Sequence, residues 1–262
     1  MKKVFQFFAI FSIAMLSLTS CSSDDSVSQP QLVTQIVDVA ANGDTKTTLF
    51  NYNGSNIISA ESVDQHVEFT YTNDLITKII DVNLTTLHQN TLDYTYANDE
   101  LVKITSSDNY IMNFVHNSDS TISYEKKTVD SNGDEVLVYH GKLFFENNNL
   151  TKDERTMDDT PVTILTKNTV TYEYDAKNNP FHNITGFTKL LNYFDNISTN
   201  NAVNGTKQSS VSYLDTDQHT SSLVPYNNVY QYDSSNYPTE IISEKPVFGS
   251  GITNYVKSML YY

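Results

Sequence analysis

The only thiol in the chain belongs to Cys21, which stands directly behind an apolar run in the order Leu18-Thr19-Ser20-Cys21. With no second cysteine to pair with, a thiol in that place is set up for acylation after a leader is removed, not for a disulfide. The other reactive residue types are dispersed. The histidines, His66, His88, His116, His140, His182 and His219, contain no HExxH and no pair at metal-ligand spacing, so each reads as a strand or turn residue. There is no Gly-x-Ser-x-Gly elbow and no phosphate-cradling glycine loop. The adjacent carboxylates Asp24-Asp25 and Asp158-Asp159 lie among turn-forming residues and read as solvated. Asp130-Ser131-Asn132-Gly133-Asp134 places oxygen ligands at alternate positions but lacks the terminal glutamate of a calcium loop, so it reads as a plain turn. Calcium is the one cofactor such turns could accept, and no catalytic residue or metal ligand is assigned. The expectation is that the protein is not an enzyme.

The leader has a positive start at Lys2 and Lys3 and an apolar stretch from Val4 to Leu18. That stretch falls short of the roughly 20 residues a spanning helix needs, which points to a cleaved signal. Leu18 to Cys21 resembles the lipobox of bacterial lipoproteins, in which the signal is removed and the cysteine becomes lipidated and N-terminal. Ser22, Ser23, Asp24 and Asp25 resemble the acidic signal that sends lipoproteins of Bacteroidota to the outer face of the outer membrane. The chain therefore divides into a signal peptide (1–20), a lipidated cysteine with a flexible acidic tether (21–31) and a single domain (32–262). The expected address is the outer membrane by a lipid anchor at Cys21, at the cell surface, with the periplasmic face as the alternative.

Removing residues 1–20 takes away two of 16 basic residues and none of 31 acidic ones, leaving 14 against 31, a formal charge of −17. Nucleic acid is excluded as a partner, because it needs clustered Lys and Arg and this chain holds a single arginine, Arg155. The 18 Tyr, no Trp and recurrent Asn, Asp and Ser predict strands punctuated by turns.

Internal repeats give the organisation. Tyr172-x-Tyr174-Asp175-x-x-Asn178-x-Pro180 and Tyr230-x-Tyr232-Asp233-x-x-Asn236-x-Pro238 coincide at five positions. Looser copies start at Phe69 and Tyr94, and weaker ones at Phe50 and Phe144. Each has an alternating aromatic strand, a polar turn and an apolar return strand, so the unit is a β-hairpin. Alternation in Val67-Glu68-Phe69-Thr70-Tyr71 and Leu92-Asp93-Tyr94-Thr95-Tyr96 puts apolar residues on one face. The prediction is an all-β, antiparallel up-and-down meander of hairpins forming a strongly curved sheet or barrel. Lys and Glu within the strands, the lipobox and an expected strand length of five to seven residues favour a water-soluble meander over a transmembrane barrel. Between Thr185 and Asp195, the spacing of Phe187, Leu190, Leu191 and Phe194 predicts one short helix near 187–194 that plugs the apolar face. The stretch from Asn196 to Ser210 reads as a long exposed loop, and the stretch 110–159 departs from the repeat.

The Tyr-x-Tyr-Asp-x-x-Asn-x-Pro units resemble the YD-type repeats of RHS-like proteins, and the mature chain is similar to a family of uncharacterised Bacteroidota lipoproteins with a porin-like β-fold. The resemblance implies an architecture and an address, with no activity to carry over. The function expected is a surface lipoprotein acting as a non-catalytic binding or scaffold module, with a glycan or protein as ligand. One alternative is an accessory subunit of an outer-membrane assembly, docking through a sheet edge or the 187–194 helix. The other is an extracellular hydrolase acting on glycans or peptides.

Overall fold

The computed structural model describes residues 31–193, 196–246 and 253–262. Its strands are β1 (Gln35–Val39), β2 (Thr45–Asn53), β3 (Asn56–Glu61), β4 (Gln65–Thr72), β5 (Leu75–Asn83), β6 (His88–Ala97), β7 (Glu100–Ser106) and β8 (Tyr110–His116). They continue as β9 (Thr121–Val129), β10 (Glu135–Glu146), β11 (Asn149–Met157), β12 (Ile164–Asn178), β13 (Asn200–Tyr213), β14 (Gln218–Tyr232), β15 (Pro238–Pro246) and β16 (Thr253–Tyr261). Each pairs antiparallel with its neighbour in the chain, and β16 pairs with β1 from Gln35↔Tyr261 to Val39↔Lys257, which closes a barrel. Closure leaves no sheet edge for a partner strand, so the docking route through an edge is withdrawn.

The repeat has a definite geometry. In five hairpins the register slips at the second aromatic, at Tyr52, Tyr71, Tyr96, Phe145 and Tyr232. These residues face Ile57, Ile76, Leu101, Leu150 and Pro238 across the hairpin, all fully buried. The intervening turns contain left-handed residues, Gly54, Asn73, Asn98-Asp99, Asn147-Asn148 and Asn236, which Asn, Asp and Gly tolerate at little cost. A bulge there increases the local twist, and repetition accumulates the curvature that brings β16 back to β1. The aromatic hydroxyls then tie each hairpin to the one before. Tyr71 Oη accepts from Ile57 N (3.2 Å), Tyr96 Oη donates to Ile76 O (2.9 Å) and Tyr174 Oη donates to Leu150 O (2.6 Å). His116 fills the same role, its Nε2 lying 3.0 Å from Leu101 O.

Inner and outer positions alternate along the strands. The core is built from Ile79, Leu92, Tyr94, Ile104, Met112, Phe114, Ile122, Tyr124 and Leu143, on inward positions of β5 to β10. The alternate positions carry a row that crosses six strands at mid-height: Lys103, Asn113, Glu125, His140, Thr156 and Lys167. A second row runs Val115, Ser123, Lys142, Glu154, Thr169 and Gln208.

Four expectations are corrected. Among the described residues of 187–194 there is no α-helix, only a 3-10 turn, Phe187–Lys189, started by Gly186 in the left-handed conformation (φ 71°), and Phe194 lies outside the described residues. The apolar spacing there serves irregular packing, with Phe187, Leu190 and Leu191 all buried. Residues 200–213 form strand β13 instead of an exposed loop, because pairing with both β12 and β14 satisfies the backbone of a polar segment. The stretch 110–159 is regular, forming β8 to β11. Strands run from 5 to 15 residues, so shortness is no argument against a membrane-spanning barrel.

Candidate binding site in the barrel lumen

The two sharp repeat copies fold differently and pack together. Tyr230 to Pro238 makes a hairpin, with Asp233 Oδ1 accepting from the backbone N–H of Ser235 (2.8 Å) and Tyr237 (2.9 Å). In the other copy β12 runs on through Asn178, and its partner β13 starts only at Asn200. Asn178 N donates to Asn236 O (3.0 Å), Lys177 Nζ to Asn236 Oδ1 (2.5 Å), and Tyr232 Oη to Asp175 Oδ2. Of the remaining motif residues, Tyr172 is buried beside Tyr226, their ring centres 6.3 Å apart, and Pro180 opens the segment that follows.

That segment, described over residues 179–193 and 196–199, closes one end of the barrel. Thr185 N donates to Ser55 O (3.0 Å) and Thr199 N to Asn148 O (3.3 Å), fastening it to the turns of two different hairpins. Phe181 lies 5.2 Å from Phe187, stacked, and 6.1 Å from Phe50 on the wall. Gly186 is obligatory, since a Cβ there would lie 2.6 Å from Asp74 O. The plug reading of 187–194 therefore holds for the described residues, while the lid or docking-helix reading does not.

Beneath the plug a cavity of about 410 Å³ lies against β12 to β16 and β1. Its lining is amide- and tyrosine-rich: Asn201, Asn228, Tyr172, Tyr226 and Tyr230, with Asp38 and Lys207 as its charges. Asn201 is 2% exposed, and its Nδ2 donates to Asn178 O (3.0 Å). Asn228 Nδ2 and Tyr230 Oη both donate to Ala202 O, at 2.8 and 3.0 Å, and Ser258 Oγ donates to Asp38 Oδ1 (2.5 Å). Such a surface suits a small polar ligand better than an apolar one.

Other chemistry-bearing residues are dispersed or engaged. At the far end of the lumen, a cavity of about 330 Å³ gathers Asp64, Asp81 and Asp108. Lys46, Gln65 and His88 respectively hold these carboxylates. Hydrogen bonds from Lys46 and Ser62 hold the Asp64 carboxyl below the usual range. Ser212 Oγ and His219 Nδ1 are 3.0 Å apart on the exposed β13–β14 hairpin. Asp130 Oδ1 accepts from the N–H of Asn132 and Asp134, which makes the 130–134 loop a turn closed on its own backbone. No group of three metal-ligating side chains occurs among the described residues. Cys21 and Ser22 to Asp25 lie outside the described residues.

The sequence reading missed Asp38, Asn201, Lys207 and Ser258 in the cavity, which come from three separate strands and share no local pattern. It also missed the Tyr124–Asp153–Arg155 group inside the barrel. There the Asp153/Arg155 alternation on one strand was the available clue.

No protein-family model matches the chain, and no curated protein matches it. Among solved structures, the chain is similar to a porin-like protein from Bacteroides uniformis, with 10% identity over 87% of this chain and 97% of that one and a TM-score of 0.52. A porin-like protein from Bacteroides vulgatus aligns over 88% of this chain and 98% of that one, with 14% identity and a TM-score of 0.46. The first likeness shows a shared barrel fold, in agreement with the expected porin-like β-fold.

Proposed function

We propose that the protein is a non-catalytic binding barrel of the bacterial envelope, tethered to the outer membrane by a lipid on Cys21. The observation that carries this reading is the polarity of the wall. A barrel that crosses a bilayer presents an apolar band about 25 Å tall to lipid. Here the mid-height outer rows of β7 to β12 carry Lys103, Glu125, His140, Lys142, Glu154 and Lys167, with Val115 as their one large apolar member, and the buried aromatic and aliphatic core faces inward. Such a wall belongs in water, so attachment to a membrane requires a separate device. The leader ending in Cys21 supplies one.

The tether enters at the plugged end, where Asn183 Nδ2 donates to Gln31 O (2.9 Å) and Gln31 Nε2 to Asp233 Oδ2 (2.6 Å). Ten residues from Cys21 to Gln31 span at most roughly 35 Å. The plug then faces the membrane and the open end faces away, with the export signal Ser22 to Asp25 directing the barrel to the cell surface. The test is metabolic labelling with an alkyne fatty acid in cells expressing the full chain or Cys21→Ser. The expected result is label and membrane pelleting for the wild type, and an unlabelled, released Cys21→Ser protein. An unlabelled wild type, or a Cys21→Ser protein still integral to membranes after carbonate washing, refutes the proposal.

A further inference from the structure

Strands β8 to β11 turn a compact group of cations and tyrosines into the lumen. Tyr124 sits in register with Gly141, which is in register with Arg155, and Lys126 is in register with Tyr139. Tyr124 belongs to the core and Lys126 is two residues on, so the lysine shares its inward face. The Arg155 guanidinium lies 4.5 Å from the Tyr139 ring centre, its Nε donates to Tyr124 Oη (3.1 Å) and its Nη2 to Asp153 Oδ2 (3.1 Å). Lys126 Nζ sits 4.0 Å over the Tyr110 ring.

The charges in this group do not balance. Asp153, 5% exposed, is held by both Arg155 and Tyr124, whereas Lys126 forms no ion pair with a carboxylate among the described residues. Burial, and then the neighbouring Arg155 charge, pull the Lys126 ammonium below its ordinary range. A lysine held beside another cation without a carboxylate is stabilised by any anion that arrives. Lys126 is three residues from the end of β9, about 10 Å below the open rim, and it is half-buried although it points inward. Water therefore reaches it through the lumen. In a chain with 31 acidic residues the outside repels anions, and its single arginine is spent here.

We infer that the inner wall of β8 to β11 binds an anionic group, a carboxylate or a phosphate on a small ligand entering by the open end. Lys126 and Arg155 supply the charge, and Tyr110 and Tyr139 hold the two cations in place. This site is independent of the lipid anchor. The test is calorimetric titration of the full chain, purified in non-ionic detergent, with galacturonic acid, glucose 6-phosphate, inorganic phosphate and neutral galactose. The expected result is binding of at least one anion, at least about tenfold weaker in Lys126→Gln and retained in Lys126→Arg, with galactose silent. Which anion binds identifies the carboxylate or the phosphate as the recognised group. Because Lys126 has no carboxylate to lose, Lys126→Gln is expected to melt with the wild type, which separates lost binding from lost folding. No binding of any anion, equal binding of galactose, or affinity unchanged in Lys126→Gln overturns the inference.

Discussion

Gly141 offers a sharp test of how the lumen wall is packed. It is an inward position of β10, in register with both Tyr124 and Arg155, and it leaves room for the Tyr124 ring to lie across the strand. In Gly141→Ala the new methyl would fall 2.5 Å from Tyr124 Cζ and closer still to the carbonyl oxygen of Glu154. Overpacking of this kind costs about 1–3 kcal/mol. Displacing Tyr124 also takes a hydrogen bond from the buried Asp153 carboxylate, a further loss of roughly 1–3 kcal/mol. For a domain of this size each kcal/mol lowers the melting temperature by roughly 2–4 °C, so a drop on the order of 5–20 °C is expected. Thermal melting followed by circular dichroism measures it, and repeating the substitution in a Tyr124→Leu background apportions it. With the ring gone, the cost of Gly141→Ala should fall by about 1 kcal/mol or more, the remainder belonging to the Glu154 carbonyl. A single substitution that lowers melting by less than about 2 °C, or shows no coupling to Tyr124, refutes the packing described.

Three further outcomes are expected. Leu190→Ala empties a fully buried position in the plug and should cost about 2–5 kcal/mol, read as a lower urea midpoint at unchanged slope. Tyr96→Phe strips the Ile76 carbonyl of its 2.9 Å partner and should cost about 1–2 kcal/mol. It should still yield a closed barrel, because the equivalent position in another hairpin is Phe145, and circular dichroism distinguishes the two effects. Burial raises the phenols of Tyr52, Tyr71, Tyr94, Tyr96, Tyr124, Tyr139, Tyr193, Tyr232 and Tyr262, with Tyr71 and Tyr193 pushed to about 12. Their folded pKa exceeds the unfolded value near 10, so their stabilisation is complete below pH 10 and is lost as pH rises toward 12 and beyond. Since the chain has no Trp, absorbance at about 295 nm reports tyrosinate alone. It should show these phenols ionising together with unfolding, and gradual ionisation of all 18 tyrosines in a folded protein would contradict the burial.

The hairpins were legible because everything that makes them is local. Tyr-x-Tyr alternation sets the inward face, and Asn, Asp or Gly supplies the left-handed turn within a few residues. Closure was not legible, since it depends on the twist summed over all the bulges and on the Gln35↔Tyr261 register, more than 200 residues apart in sequence. Strand β13 was hidden by composition. Its Asn, Ser and Thr residues have the signature of a loop, and only the ladders supplied by β12 and β14 make it a strand. The 3-10 turn deceived in the opposite direction: Phe187, Leu190 and Leu191 have helical spacing, but Gly186 begins the segment left-handed without a side-chain cap. The cation group escaped notice because Lys126 and Arg155 lie on strands β9 and β11, with all of β10 between them in sequence.

The plug and the open lumen are two consequences of one number. A closed sheet of sixteen strands encloses more space than its own inward side chains can fill. With an apolar inner face and a charged outer one, that space cannot be left wholly to water without exposing the core. The chain resolves this by inserting residues 179–199 between two strands that would otherwise form an ordinary hairpin, so the plug's apolar residues complete the core at one end only. At the other end the strands carry Asp81 and Lys126 in place of isoleucine and leucine, and Asp64 and Asp108 stand in the turns beside them. A stability defect placed in the plug should therefore spread to the whole barrel, whereas changes at the open end should alter what enters the lumen and leave the fold intact.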